Sequence, residues 1–243
     1  MDLNIQEKLL EINQIFYDSF ASSFSSTRHQ AQPGVRHLVQ RMLNSEAILD
    51  VGCGNGTLAR LLAAEGYTGS YLGLDMSEGL LTRADALLEH SSIGDFNFIP
   101  IDLADPGWHQ TLPMTSFDWL LCFAVLHHIP GEELRTQTAR NFASLVSQNS
   151  RVALSVWQWQ NSPRLRKRVV PWSTVGIDPQ TLDDGDVLLD WRAGESIGLR
   201  YVHTFSEDAL TTLAKTAGFK VIENYYSDGK EGDLALYQTW QLA

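Results

Sequence analysis

The sequence predicts an α/β fold built on a seven-stranded, mostly parallel sheet, with an N-terminal helical cap, a lid insertion and a C-terminal antiparallel hairpin. Between residues 47 and 157, short and almost uninterrupted apolar segments alternate with helical ones, as in parallel strands that are buried on both faces. Near the end of the chain, Ser227-Asp228-Gly229-Lys230 separates two alternating segments and is typical of a hairpin turn. With 243 residues, of which 44% are hydrophobic, the chain is expected to form a single domain over residues 1–243.

Residues 1–44 predict the helical cap. Apolar residues recur at helical spacing from Leu3 to Phe20, and the polar stretch from Ser22 to Arg28 is interpreted as a loop or a frayed helix end. After Pro33-Gly34, a second helix is expected from Val35 to Leu43. The cap would therefore consist of two helices that precede the sheet.

The remaining chain supplies the sheet, its covering helices and the lid. Parallel strands are predicted at Ala47 to Val51, Ser70 to Leu74, Phe96 to Ile101, Phe117 to Phe123 and Arg151 to Trp157, with helices at Thr57 to Glu65, Glu78 to Glu89 and Glu132 to Val146. Residues 158–201 break this alternation and predict a lid or substrate insertion rather than sheet. A helix from Ser206 to Ala217, with Ser206 as its cap, leads to the hairpin strands Phe219 to Tyr226 and Asp233 to Gln241.

Composition argues against several classes of protein. The net charge of −11 disfavours indiscriminate binding to nucleic acid, which needs Lys and Arg for the phosphates. No apolar run approaches the ~20 residues of a membrane helix, and the N-terminus lacks the pattern of a signal peptide. Because Cys53 and Cys122 do not form a CxxC pair, neither a metal site nor a disulfide is expected, and a cytoplasmic location is predicted.

A glycine-rich loop after the first predicted strand indicates a nucleoside cofactor. Gly52, Gly54 and Gly56 allow backbone angles that other residues resist, and they let the backbone approach a ligand closely. Such a loop alone also fits nicotinamide and flavin sites. Asp50 favours S-adenosyl-L-methionine, because its carboxylate can accept hydrogen bonds from the methionine ammonium, whereas a dinucleotide pyrophosphate would be repelled there.

Acidic residues at the ends of the next two strands support the same cofactor. Asp75 can hold both ribose hydroxyls, and Met76 can pack on the adenine. Asp102 can accept from the adenine amino group, while the Leu103 backbone reads a ring nitrogen. Phe123, which ends the fourth strand, should line the methionine and sulfonium region. S-adenosyl-L-methionine is therefore the predicted cofactor, and the predicted fold is a Rossmann-like methyltransferase.

Two further features are candidates for acceptor binding. His127 and His128 follow the fourth strand, at the edge where the reactive methyl group is expected. The lid carries a basic cluster, which consists of Arg164, Arg166, Lys167 and Arg168. Most such clusters are solvated faces, but cations among tryptophans also suit RNA phosphates and unpaired bases.

Beyond these features, the sequence resembles the tRNA methyltransferases that esterify the carboxylate of 5-carboxymethyluridine at the wobble position. The resemblance runs over nearly the whole chain and is carried by Tyr17 to Arg28, Val125 to His128, Val156-Trp157, Val170-Pro171-Trp172 and Arg200 to Phe205. Two segments depart from the family pattern. Gln30-Ala31-Gln32-Pro33 stands where Lys-Pro-Trp is usual, and Gln148-Asn149-Ser150 replaces a Pro-Gly-Gly turn.

The resemblance implies an acceptor carboxylate, which is already ionised at neutral pH because its pKa is ~4. No general base is then needed, and the site requires a cation that orients the acid. Arg28 is the first candidate for this clamp and Arg200 the second, while His127 or His128 would orient the acceptor and Tyr17 would close over the cofactor. The resemblance also implies tRNA as a partner, held by the basic cluster, and a small zinc-binding activator subunit like that of eukaryotic members.

Other functions stay open at this stage. The acidic charge and the two departures fit an enzyme that methylates a small-molecule acid or metabolite. The chain could also be a non-catalytic subunit that binds S-adenosyl-L-methionine and activates a partner, because the acidic strand ends indicate cofactor binding and not catalysis. A hydroxyl or amine acceptor would need a base, and one of the two histidines could serve.

Overall fold

The computed structural model describes residues 1–26, 30–88, 94–193 and 196–243, without the side chains at 21–26, 193 and 196. The helices are α1 Leu3–Ser26, α2 Pro33–Met42, α3 Thr57–Ala64, α4 Glu78–Leu88, α5 Glu132–Ser144, α6 Pro163–Arg166 and α7 Glu207–Thr216. The strands are β1 Ala47–Val51, β2 Ser70–Asp75, β3 Asp95–Pro100, β4 Phe117–Phe123, β5 Val146–Trp157, β6 Val169–Val170, β7 Asp186–Ala193, β8 Ser196–His203, β9 Phe219–Ser227 and β10 Ala235–Leu242. In the part of the chain that is described, no helix is both long and apolar enough to cross a membrane.

The main sheet has seven strands in the order β3-β2-β1-β4-β5-β10-β9. Strands β1 to β5 pair in parallel, whereas β10 is antiparallel to both β5 and β9. The predicted parallel sheet with a terminal antiparallel hairpin is therefore confirmed. The strand order reverses between β1 and β4, and ligands of open α/β sheets bind beyond the carboxyl ends of the strands at such a point.

Apolar packing covers both faces of the sheet. Successive side chains of β1 point to opposite faces, so Leu49 joins the core under α5 and α7, and Ile48 joins the core under α2 and α3. Trp108 and Trp240 are fully buried on the first side, and Tyr67 is fully buried on the second. This two-sided burial explains why the parallel strands are nearly continuous apolar runs.

Two element boundaries differ from the sequence-based prediction by more than two residues, whereas the other predicted helices and strands of the cap and the main sheet shift by at most two residues at either end. The stretch from Ser22 was interpreted as a loop or a frayed helix end, and helix α1 continues through it to Ser26, because serine is only a weak helix breaker. Strand β5 begins at Val146, although the sequence predicted helix to that residue and strand only from Arg151. Here the Ser150 hydroxyl accepts from Ser147 N at 2.9 Å, so side-chain hydrogen bonds hold the irregular start of the strand.

The lid insertion contains a second sheet, so the expectation that residues 158–201 lack sheet is wrong. Strands β6, β7 and β8 form an antiparallel sheet in the order β6-β7-β8, and β8 lies along α1. Charged residues such as Asp190 and Arg192 interrupt the pattern of β7, whereas Leu188 and Leu189 are both buried. Because burial on both faces removes strict alternation, the strand signal was hidden.

Candidate cofactor and acceptor site

A cavity of about 520 Å³ lies at the carboxyl edge of the main sheet. Its walls come from the strand ends of β1 to β5, from α1, from the loop between β9 and β10, and from Trp191 and Arg200 of the lid sheet. The volume lies within the usual range for small-molecule sites. The residues that were predicted to hold the cofactor line this cavity together with three candidates for acceptor binding, His127, His128 and Arg200. The part of the wall around these three residues is called the acceptor half.

The glycine loop adopts the backbone conformation that the sequence predicted. Gly52 and Gly54 have φ angles of +76° and +57°, in the left-handed region that favours glycine. Gly52 N and Cys53 N both donate to Leu74 O, at 2.7 and 2.9 Å, which folds the loop back over the end of β2. A Cβ atom at Gly52 would lie 2.1 Å from Cγ2 of Val125, so no larger residue fits at this position.

Asp50 is a buried carboxyl group in the wall of the cavity. Its Oδ2 accepts a hydrogen bond from the Tyr71 hydroxyl. Burial raises the pKa of Asp50 to about 7, against the opposing effect of that hydrogen bond. Among the described residues no cation forms an ion pair with it, which is compatible with the predicted contact to the methionine ammonium.

Asp75 and Asp102 also stabilise the loops that they end. Asp75 accepts from Gly54 N at 2.9 Å through Oδ2 and from Ser77 N at 3.0 Å through Oδ1, and burial raises its pKa. Asp102 accepts from Ala104 N at 2.8 Å. Each carboxylate oxygen can accept a further bond, so this structural role leaves room for ribose and adenine contacts.

The structure brings all predicted cofactor residues to one cavity. Those that line it are Tyr17, Asp50, Gly52, Gly54, Asp75, Met76, Asp102, Leu103 and Phe123. Met76 is 40% exposed, and Phe123 packs against Tyr237 with ring centroids 5.9 Å apart. Their individual contacts to a ligand stay predictions.

The two histidines are held by hydrogen bonds in the acceptor half. His127 is buried, and its Nδ1 accepts from Trp157 N at 3.2 Å, which places the proton of the neutral ring on Nε2. His128 Nδ1 lies 3.0 Å from Tyr201 O and must donate to it, so His128 Nε2 is able to accept from the Tyr17 hydroxyl at 2.9 Å. Both rings are therefore oriented by the protein, and Tyr17 connects α1 to this corner of the cavity.

Arg200 is a buried cation in the wall of the same half, 4% exposed. Its guanidinium carbon lies 4.6 Å from the ring centroid of Trp157 and 4.9 Å from that of Phe16. Within the described ranges, its Nε has no hydrogen-bond partner and no carboxylate pairs with it. Burial lowers the pKa of Arg200, while Tyr17 raises it, but a guanidinium stays charged at neutral pH.

Arg28, the first candidate for the clamp, lies outside the described residues, in the gap at 27–29. The basic cluster is divided by the structure. Arg164 is exposed and borders the cavity, whereas Arg168 pairs with Asp190 at 3.4 Å. Arg166 and Lys167 are also exposed. Three of the four cations are thus exposed, and one of them, Arg166, donates to Gln160 O at 2.6 Å.

Two residues of the cavity wall were not predicted from the sequence as site residues. Asp228 was assigned only to a turn, yet it lines the cavity and accepts from Gly34 N at 2.9 Å and from the Tyr237 hydroxyl at 2.6 Å. Trp191 was one of several aromatic residues in the lid and also lines the cavity. The topology could have indicated Asp228. Because β10 runs antiparallel to β5, the turn that precedes β10 lies at the carboxyl edge of the sheet.

A methyltransferase domain model matches residues 27–224, which is most of the chain. The chain belongs to the methyltransferase domain family. A tRNA (carboxymethyluridine(34)-5-O)-methyltransferase of Schizosaccharomyces pombe is 27% identical over 225 residues, which cover 86% of this chain and 89% of that protein. This methyltransferase is also similar in fold to a SAM-dependent methyltransferase from Methanosarcina mazei, with a TM-score of 0.64, 20% identity and coverage of 88% and 98%.

A second solved structure contains the cofactor. Magnesium protoporphyrin IX methyltransferase from Synechocystis, with bound SAM, has a TM-score of 0.61 and 20% identity, and covers 96% of this chain and 97% of its own. S-adenosyl-L-methionine is the cofactor of the present methyltransferase, and it supplies a methyl group activated by a sulfonium. The cavity fits this group, because no described cation pairs with Asp50 and the Gly52 turn leaves no space for a side chain. Among the described residues no cluster of His, Cys, Asp and Glu could hold a metal ion.

Proposed function

We propose that this methyltransferase esterifies a carboxylate, namely that of 5-carboxymethyluridine at the wobble position of tRNA. The observation that carries the proposal is Arg200, a buried guanidinium that borders the acceptor half of the cavity without a carboxylate partner among the described residues. An acceptor carboxylate would supply that partner through charge-assisted hydrogen bonds. The name of the similar S. pombe protein describes the same chemistry.

The surrounding residues suit a reaction that needs orientation and not proton removal. The acceptor carboxylate is ionised at neutral pH, so one of its oxygens can attack without a base. Arg200 would hold the acid, and the oriented rings of His127 and His128 would border its path to the methyl group. Aromatic residues around Arg200 exclude water, which strengthens the electrostatic attraction. Catalysis would then consist mainly of positioning.

The exposed cations near the cavity mouth support an RNA acceptor. Arg164 borders the cavity, and Arg166 and Lys167 are exposed in the same short segment. Phosphate contacts by such residues position an RNA loop without reading its sequence. A local patch of this kind is compatible with the net charge of −11, because binding depends on the local potential. A small zinc-binding activator subunit belongs to the same proposal.

A small-molecule acid is the second candidate acceptor. The overall negative charge favours it, since a free metabolite needs no extended basic surface. The same Arg200 clamp would serve either acceptor. The two functions therefore differ in what binds outside the cavity and not in the chemistry within it.

Mass spectrometry of tRNA nucleosides from cells with and without this protein tests the proposal. We expect the methyl ester of 5-carboxymethyluridine to disappear without the protein, while the free acid accumulates. Analysis in cells retains any activator subunit. Unchanged tRNA nucleosides, together with methyl transfer to a low-molecular-weight pool, would contradict the tRNA proposal and support the second candidate.

A further inference from the structure

Two buried N–H groups, both unpaired within the described part of the chain, border the acceptor half of the cavity. They are Nε of Arg200 and Nε1 of Trp191, and both residues line the cavity wall. Leaving a buried donor unpaired is unfavourable, because the group loses its hydrogen bond to water. The indole N–H of Trp108 is also unpaired, but Trp108 lies in the core and does not line the cavity. Trp191 and Arg200 differ from Trp108 because both residues belong to the cavity wall.

The lid sheet places these two residues side by side. Trp191 on β7 pairs with Gly198 on β8, and Arg200 is two positions further along β8, on the same face of the sheet. The Arg200 guanidinium carbon lies 5.8 Å from the ring centroid of Trp191. Diagonal neighbours across two strands are within reach of the same small group when their side chains are long.

Gly198 allows α1 to pack closely against Trp191 and Arg200. A Cβ atom at Gly198 would lie 2.9 Å from Cδ2 of Phe16, so only glycine lets the Phe16 ring reach the sheet. Phe16 then contacts Trp191, with ring centroids 6.2 Å apart, and the Arg200 guanidinium. The two donors are thereby kept in a dry apolar corner, where a hydrogen bond to a charged oxygen is stronger than in water.

We propose that Trp191 is a specificity-determining residue, whose indole N–H binds the acceptor carboxylate together with Arg200. This inference rests on the proposed carboxylate chemistry and adds a neutral donor to the charged one. Arg200 alone would attract any anion, whereas two donors in fixed positions select a group that presents oxygen atoms to both. Trp191 thus favours a planar carboxylate over a neutral amide or ester.

Binding of modified RNA to matched variants tests the role of Trp191. The probes are an RNA hairpin with 5-carboxymethyluridine in its loop and the same hairpin with the uncharged amide, each added to protein saturated with S-adenosylhomocysteine. Trp191→Phe keeps an aromatic ring and removes the N–H. We expect it to weaken binding of the acid about tenfold, to leave the amide unchanged and to leave cofactor affinity unchanged.

Trp159→Phe is the matched control, because the Trp159 indole already donates to Thr204 Oγ1 at 2.9 Å and does not line the cavity. It should bind both hairpins as the wild type does. A nitrogen–proton correlation spectrum provides a second readout. The indole resonance that is absent from Trp191→Phe should shift on addition of the acid and not of the amide.

The outcomes separate the two proposals. If the wild type prefers the acid but Trp191→Phe binds it equally well and the indole signal does not move, the role of Trp191 is wrong and the carboxylate proposal stands. If the wild type does not distinguish the acid from the amide, the carboxylate proposal is wrong, and the inference about Trp191 falls with it.

Discussion

The Tyr71 hydroxyl donates a hydrogen bond to Oδ2 of Asp50, deep in the cofactor wall of the cavity. This bond stabilises the charged form of Asp50, but the effect of burial is larger. The pKa of Asp50 therefore rises to about 7. This carboxylate lies where a cationic part of the cofactor is expected. Ionised Asp50 should therefore favour cofactor binding, although it lowers the stability of the folded protein.

Asp50→Asn should stabilise the protein without its cofactor and weaken cofactor binding. Between the usual aspartate pKa of 3.8 and the raised value of about 7, the folded state keeps a proton on Asp50 that the unfolded chain has lost, so the free energy of unfolding falls as the pH rises. At about pH 8 the variant should be more stable by up to a few kcal/mol. Its affinity for S-adenosyl-L-methionine should fall at least tenfold.

Calorimetric unfolding at acidic and alkaline pH, and titration with the cofactor, check this prediction. The stability difference between variant and wild type should shrink toward about pH 4. Asp105→Asn is a control, because Asp105 is exposed and an amide can still accept from Gly107 N. If Asp50→Asn is less stable than the wild type at alkaline pH, the ionised Asp50 carboxylate does not destabilise the fold and the prediction is wrong.

Arg200→Met should abolish methyl transfer while it leaves the fold intact. Methionine is apolar and similar in length, and the aromatic surroundings of Arg200 contain no carboxylate that would lose its partner among the described residues. We expect activity to fall at least a hundredfold, with unchanged cofactor affinity. Thermal stability should stay the same or rise, because a buried charge is removed.

Arg135→Met is the contrasting variant. Arg135 is equally buried, but it donates to Asp183 at 2.7 Å and to Ile129 O at 3.1 Å. Its loss should cost about 3–5 kcal/mol of stability, because a partly buried carboxylate is left unpaired. Chemical denaturation of both variants measures their free energies of unfolding. Equal destabilisation by the two changes would show that Arg200 has a structural role.

The turnover number should be almost independent of pH between about pH 5.5 and pH 8 when cofactor and acceptor are saturating. A carboxylate acceptor stays ionised across this range, and no base is required. His128 can keep its contact with Tyr17 in either charge state, since the hydroxyl can donate or accept. A loss of turnover below the histidine pKa of ~6.5 would instead indicate base catalysis.

A change of pH should have a separate effect on cofactor affinity. Below about pH 7, Asp50 carries a proton in the free protein, so binding of the methionine ammonium must release it. Cofactor affinity should therefore fall with decreasing pH while turnover at saturation does not. Asp50→Asn should remove this pH dependence, which isothermal titration in two buffers can measure.

Neutralising the three exposed cations of the lid should reduce the salt dependence of RNA binding. The triple variant Arg164→Gln, Arg166→Gln, Lys167→Gln removes up to three phosphate contacts, each worth a slope of about 0.7 to 0.9 in log affinity against log salt. Arg168→Gln is the control, because Arg168 pairs with Asp190 and its removal should change the slope little. Equal slopes for the triple variant and the wild type would locate the RNA contact elsewhere.

Local sequence determined the central sheet and its cofactor edge. Strands β1 and β4 and the capped start of α7 were predicted at their observed bounds, because burial, periodicity and the Ser206 cap act between near neighbours. The Gly52 turn is local for the same reason, since a positive φ is a property of one residue. The positions of the carboxylates Asp50, Asp75 and Asp102 could then be predicted, because each lies at or near the end of a strand.

Only the tertiary structure decided how the acceptor half is built. The contact between Tyr17 and His128 joins residues 111 positions apart, and the lid sheet packs on α1 across an even longer stretch of the chain. No periodicity encodes such contacts, because they depend on which faces meet after the sheet has formed. The sequence could therefore name Arg200 as a candidate cation. Its contact with the Trp191 ring, and its lack of a carboxylate partner among the described residues, arise from long-range packing that excludes water.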